Sequence, residues 1–153
     1  AERLERVASN LTRLQMQADL QLGDAASWQS KQAFDRILAD VPCTASGIVR
    51  RHVDIKWLRR ESDIVSFTQQ QAVILANLWH LLAKGGKLLY ATCSVFAEEN
   101  QQQIDRFLQL NSDARQLPIV LTDDRIENIH MQNGQLLPTN GHDGFFYALL
   151  QKV

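Results

Sequence analysis

Cysteine, proline and glycine are all scarce in this chain, with two, three and seven copies among 153 residues. Two cysteines without C-x-x-C spacing argue against a disulfide scaffold and a zinc knuckle, and favour a reducing, cytoplasmic setting. No apolar run approaches the ~20 residues needed to span a bilayer, and no charged-then-apolar leader opens the sequence. A strong charge of one sign is lacking as well: the formal net charge of −1 does not mark a nucleic-acid binder. Repeats and low-complexity tracts are absent. His80 and His130 read as structural, and nothing suggests a metal.

What remains is an ordinary globular composition, 45% hydrophobic and 22% charged, in a length that makes one domain. The near-neutral total hides one local excess. Between Arg50 and Arg60 lie Arg50, Arg51, Lys56, Arg59 and Arg60, with His52 among them and only Asp54 opposing. Any contact with phosphate is expected through that segment, the alternative being a solvated loop with no partner.

Leu4, Val7, Leu11 and Leu14 predict a helix over 2–14. The loose alternation from Gln15 to Leu22 predicts a strand that stops at Gly23-Asp24. Phe34–Ala39 is a short continuous apolar run, as expected of a strand covered on both faces. A helix is predicted over 62–84, with Val73, Ile74, Leu78, Leu81 and Leu82 on its apolar face and Gly85-Gly86 as a left-handed stop. Lys87–Thr92 then forms a buried strand. A helix from Ala97 to about Leu110 carries Glu98 and Glu99 in its first turn, where the dipole favours negative charge. Strands are expected around Arg125–Met131 and Phe145–Lys152, with a loop containing Asn140-Gly141-His142-Asp143-Gly144 between them. Alternating strand and helix predict an α/β fold with a mainly parallel sheet.

In such sheets ligands bind beyond the carboxyl ends of the strands. Cys43 follows one predicted strand and Cys93 ends the next, so neighbouring strands ~4.8 Å apart would hang both thiols over one crevice, with Asp40 beside them. A lone cysteine in such a place is more often a small buried hydrophobe than a reagent; two of them with a carboxylate shift that balance. Pro42 forces an extended entry, and Thr44 to Gly47 leave room for something to approach the backbone. Asp40 as a simple cap at the strand end, and the two thiols as a redox pair, are the competing readings.

Asp40-Val41-Pro42-Cys43 with Thr92-Cys93-Ser94 resembles the paired motifs of the RNA cytosine-C5 methyltransferases. Ser46-Gly47, Arg50-Arg51-His52, Asp54-Ile55-Lys56-Trp57, Gly85-Gly86, Glu98-Glu99-Asn100 and Asp143-Gly144-Phe145-Phe146 extend the resemblance, over nearly all of residues 2–152, to the bacterial Sun/Fmu branch. The resemblance implies a Rossmann-like fold, S-adenosylmethionine as methyl donor, and a cytosine of small-subunit (16S) ribosomal RNA as substrate. It also implies that Cys93 is the nucleophile that adds to C6, that Cys43 helps release the product, and that Asp40 bonds the cytosine edge or the methionine portion of the cofactor. Asp24 would face the adenine, and Arg50, Arg51, His52 and Lys56 would hold the RNA beside a base turned out of its stack. Spacing alone does not say which thiol attacks. Trp57 reads as packing; Asp143 to Phe146 read either as a pocket border or as a turn into a buried strand.

The chain departs from the family pattern in places. Val53 and Ala97 stand where these enzymes commonly carry proline. No G-x-G-x-x-G loop occurs, and by resemblance the chain starts at the helix after the second strand, as the carboxy-terminal portion of one catalytic domain. Weak or no binding of S-adenosylmethionine, and no activity alone, are the expectations. By the same resemblance two strands are missing between Met16–Leu22 and Phe34–Ala39, a gap closed by re-pairing of the remaining strands or by a second copy in a homodimer. The alternative function is a non-catalytic RNA-binding or interaction piece using the Arg50–Arg60 segment.

Overall fold

The computed structural model describes residues 2–120 and 131–153. Helix α1 (Glu2–Arg13) is followed by a long irregular segment, strand β1 (Phe34–Asp40), a short helix α2 (Ile55–Leu58) and the long helix α3 (Glu61–Leu81). Strand β2 (Leu82–Thr92), helix α4 (Gln101–Leu110), β3 (Ala114–Leu117), β4 (Met131–Gln132), β5 (Gln135–Leu136) and β6 (Phe145–Lys152) complete the order. Of the strand expected at Arg125–Met131, only Met131 lies within the described residues, in β4; His130 lies outside them.

The sheet runs β1-β2-β6-β5-β4, with β3 also paired to β6. An α/β layer arrangement is present, but parallel pairing is confined to β1 with β2; β6 runs antiparallel to β2, β3 and β5, and β4 to β5. The chain enters β6 from a nearby turn rather than from a crossover helix, and that forces the antiparallel sense.

Helices α3 and α4 cover one face of the sheet. Ile74, Leu75 and Trp79 of α3 and Ile104 and Phe107 of α4 meet Leu88 and Tyr90 of β2 and Phe146, Ala148 and Leu150 of β6. Every second residue of β6 points inward, as period-two alternation requires. Trp79 meets the Phe107 ring edge-on at 5.2 Å, and Tyr90 meets Phe146 at 6.3 Å. The buried face of α3 is shifted from the expected one. Gln71, Ile74, Leu75 and Trp79 turn inward at three- and four-residue spacing, while Val73 is 55% exposed.

Three further expectations are corrected. Gln15–Leu22 is not a strand: Met16 and Leu22 are exposed, and no described strand lies beside them to accept a ladder. β1 is not covered on both faces, because among the described residues it pairs only with β2, and Leu38 is 70% exposed. The gap is therefore not closed by re-pairing. Helix α3 stops at Leu81, before Gly85. Leu82 is buried and already pairs with Phe34, the ladder resumes at Lys87 opposite Arg36, and Gly85 takes its left-handed φ of 78° inside the bulge between. Lys152 Nζ donates to Trp79 O and Leu82 O at this helix end, where a cation is favoured.

Candidate active site

β1 and β2 lie side by side in register from Ile37 opposite Leu88 to Asp40 opposite Ala91, and Val41 N–H extends the ladder to Ala91 O. Both strands end at the same edge of the sheet, which places the next residues of each together. The Cys43 and Cys93 sulfurs are 3.5 Å apart, as unbridged thiols. Cys43 is buried and Cys93 is half-buried, so Cys93 is the more exposed of the two.

The two sulfurs are within hydrogen-bonding reach of one another. The Cys43 S–H donating to Cys93 brings the Cys93 thiol down to about 7, against the opposing effects of burial and of the Asp40 and Glu99 charges. The same bond, with burial, holds the Cys43 proton well above the ordinary thiol range. The arrangement is a thiolate at Cys93 backed by a thiol at Cys43, available near neutral pH.

What holds the two loops together is a buried carboxylate. Glu99 was expected in the first turn of a helix; instead α4 begins at Gln101, and Glu99 turns inward with no exposure. Its Oε1 accepts from the Thr44 amide at 2.9 Å and from Gln71 Nε2 at 3.1 Å. Its Oε2 accepts the Thr44 and Ser94 hydroxyls, both at 2.5 Å. Thr44 follows Cys43 and Ser94 follows Cys93, so four donors satisfy the carboxylate while fixing both thiol loops. Gln71 Nε2 also reaches Pro42 O, and Asn100 binds Thr92 Oγ1 and Ser94 O. Ala45, between them, sits at φ 60°, a left-handed backbone in a non-glycine residue held by its surroundings.

The small residues after Cys43 do leave room, and the protein's own backbone takes part of it. Gly47 N–H donates to Cys93 O and Gly47 O accepts from Gly144 N–H, each at 2.8 Å. A Cβ at Gly47 would overlap Gly144 O and lie 2.9 Å from Cys93 O. Asp143, next to Gly144, is buried and pairs with Arg51 at 2.6 Å, while Phe146 enters the core.

The other predicted residues are placed as follows. Asp40 ends β1 exposed, close enough to Cys93 and Tyr147 to raise both. Asp24 Oδ1 accepts the Ala26 amide, capping its own turn. Arg50 donates to Thr139 O and Asn140 O, and Arg51 to Asp143, so both guanidinium groups are engaged on their own chain. His52 is exposed. Lys56 Nζ lies 5.1 Å over the Trp57 ring. Trp57 is not packing: it is 79% exposed.

The family model described as 16S rRNA methyltransferase RsmB/F matches residues 1–151. The chain belongs to that family. It is 47% identical over 157 residues to Ribosomal RNA small subunit methyltransferase B of Yersinia enterocolitica, covering 99% of this chain and 34% of that protein. To the protein of the same name in Pasteurella multocida it is 50% identical over 162 residues, covering 100% of this chain and 35% of that one. The chain thus spans about a third of the length of these relatives. Among solved structures, a methyltransferase homolog protein from Pyrococcus horikoshii is 28% identical with a TM-score of 0.74, covering 99% of this chain and 50% of that one. NSun6 from the same organism, solved with SFG, shares the fold at 24% identity and a TM-score of 0.81, covering 99% and 39%. The architecture of this RsmB/F chain is accordingly part of a Rossmann-like methyltransferase fold.

Sequence reasoning missed three residues of this RsmB/F site. Glu99 and Gln71 are polar side chains on helical patterns, where solvent is the ordinary expectation. Tyr147 faces the Asp40 side of the sheet, stacked on Phe145 at 6.2 Å, and strand alternation opposite the inward Phe146 was the available signal.

Proposed function

We propose that this chain is the carboxy-terminal portion of the catalytic domain of an S-adenosylmethionine-dependent methyltransferase acting on C5 of a cytosine in 16S ribosomal RNA, in the cytoplasm. The observation that carries this reading is the 3.5 Å approach of two unbridged thiols at the ends of two parallel strands.

C5 of cytosine is a weak nucleophile while the ring is aromatic. The Cys93 thiolate adds to C6, its electron pair forming the S–C6 bond and the displaced ring electrons raising density at C5. When bound, S-adenosylmethionine supplies the electrophilic methyl group. Solvent then takes the C5 proton, and the C5–H pair re-forms the C5–C6 double bond. The S–C6 pair returns to sulfur, with the Cys43 thiol beside the departing Cys93 thiolate to stabilise it. Asp40, exposed at the end of β1, offers an acceptor for the cytosine amino group or the donor's ammonium.

The residues present fit one edge of such a cofactor and not its cradle. Asp40 is free and exposed, Asp24 is turned into its own backbone, and no G-x-G-x-x-G loop exists in the sequence. Calorimetry is therefore expected to show no micromolar binding of S-adenosylmethionine to the chain alone.

The decisive experiment substitutes this chain for the matching third of the Yersinia relative and follows radiolabelled methyl transfer to 16S RNA. Cys93→Ala abolishes transfer, and Cys43→Ala accumulates an RNA–protein adduct. Full activity of the Cys93→Ala chimera would overturn the assignment.

A further inference from the structure

A cleft of about 470 Å³ opens beside the thiol loops, within the size range of small-ligand sites. Its lining includes Ser46, three residues past Cys43, and Phe96, three past Cys93. Lys56, Arg59 and Arg60 give the lining its cationic part, with Glu61 the one carboxylate. Arg59 is fixed there: its Nε donates to Thr44 O at 2.8 Å, and its guanidinium lies 5.3 Å over the Phe67 ring. That bond ties the cationic wall to the residue next to Cys43. Anything held by the wall therefore sits at a set distance from the reacting sulfurs.

Trp57 follows the lining residue Lys56 in sequence, and Lys56 Nζ lies over its ring. At 79% exposure, and with Val53 and Leu58 also exposed beside it, this is an apolar surface rimmed by cations. An indole with an adjacent ammonium matches an unpaired base and its phosphate: stacking is tolerant of base identity, and the cation meets the backbone. A protein partner would be expected to meet a flatter apolar patch with fewer like charges.

We propose that this cleft and Trp57 seat the nucleotides flanking the target cytosine as single-stranded RNA, Trp57 stacking on one base while Lys56 and Arg60 hold phosphates. Arg50 and Arg51 bond instead to Thr139 O, Asn140 O and Asp143 of the neighbouring loop. This rests on the RNA methyltransferase reading and specifies which residues hold its substrate.

The test uses the purified chain and a fluorescent single-stranded RNA of about 12 nucleotides, within the site sizes of such proteins, with a duplex of the same sequence for comparison. Anisotropy is measured across a salt series. Trp57→Ala weakens single-strand binding about 5- to 150-fold, and Trp57→Phe restores it. The double variant Lys56→Gln with Arg60→Gln flattens the logarithmic salt slope by about 1.4, the share of two phosphate contacts. Arg3→Gln, on α1, leaves binding as it was. Circular dichroism confirms that these surface variants stay folded. Unchanged affinity in Trp57→Ala, a preference for duplex, or no binding by the parent chain overturns the proposal. If any of these occurs while the chimera still transfers methyl through Cys93, the cleft assignment fails and the proposed function stands.

Discussion

Glu99 accepts two hydrogen bonds from Thr44, at 2.9 Å from the amide and 2.5 Å from the hydroxyl, across 55 residues of sequence. Its Oε2 also accepts the Ser94 hydroxyl, which belongs to the second thiol loop. One buried carboxylate thus spans the two segments that carry the sulfurs.

Removing that acceptor orphans several buried donors together. Glu99→Ala is expected to cost about 3–5 kcal/mol, since each stranded donor carries a desolvation penalty of about 1–3 kcal/mol that local relaxation only partly relieves. Urea denaturation of the variant and parent measures it; a loss below about 1 kcal/mol would mean that the donors find other partners.

The thiol pair has a pH signature. Cys93 is pulled down to about 7 chiefly by the Cys43 S–H, while burial, Asp40 and Glu99 all push it up. Deleting the donor in Cys43→Ala leaves only causes that raise it and the Cys93 loop amide that lowers it, so the midpoint moves alkaline. Cys43→Ser keeps a donor and holds the midpoint lower than alanine does. Iodoacetamide rates against pH, with mass spectrometry to assign the modified sulfur, check this; identical midpoints in the Ala and Ser variants would refute the hydrogen-bond origin.

Gly47 admits no side chain. A methyl there meets Gly144 O and Cys93 O, so Gly47→Ala is expected to cost about 1–3 kcal/mol, as overpacking does. The strain falls on the contact between the Cys93 loop and the 139–144 loop, so the Cys93 alkylation profile should shift as well. A thermal midpoint equal to the parent's would show that the loops part freely.

Among the described residues the outer edge of β1 has no strand partner, and Leu38 is exposed. At high concentration the chain is expected to self-associate along this edge, and Leu38→Lys to reduce association by placing charge on it. Sedimentation velocity across a dilution series decides; a monomer throughout would rule the edge out.

The strands that carry the thiols, β1 and the second half of β2, were legible because apolar runs bounded by turn residues need no distant information, and the meeting of their ends followed from parallel pairing. Gln15–Leu22 misled for the complementary reason: alternation shows what a strand would present, and a ladder also needs a neighbour. Glu99 and Trp57 were misplaced in opposite directions. Hydropathy puts a glutamate outside and a tryptophan inside, yet four convergent donors bury the first and the course of the 50–60 segment exposes the second.

By itself the sequence determined the two thiol motifs, their positions at strand ends and the cationic run, because these depend on residue type and local spacing. Only the tertiary structure decided that the sulfurs approach to 3.5 Å, that a carboxylate from a third segment clasps their loops, and that Arg50 and Arg51 bond to the 139–143 loop. Those outcomes depend on distances between segments tens of residues apart, and local chain preferences do not encode such distances.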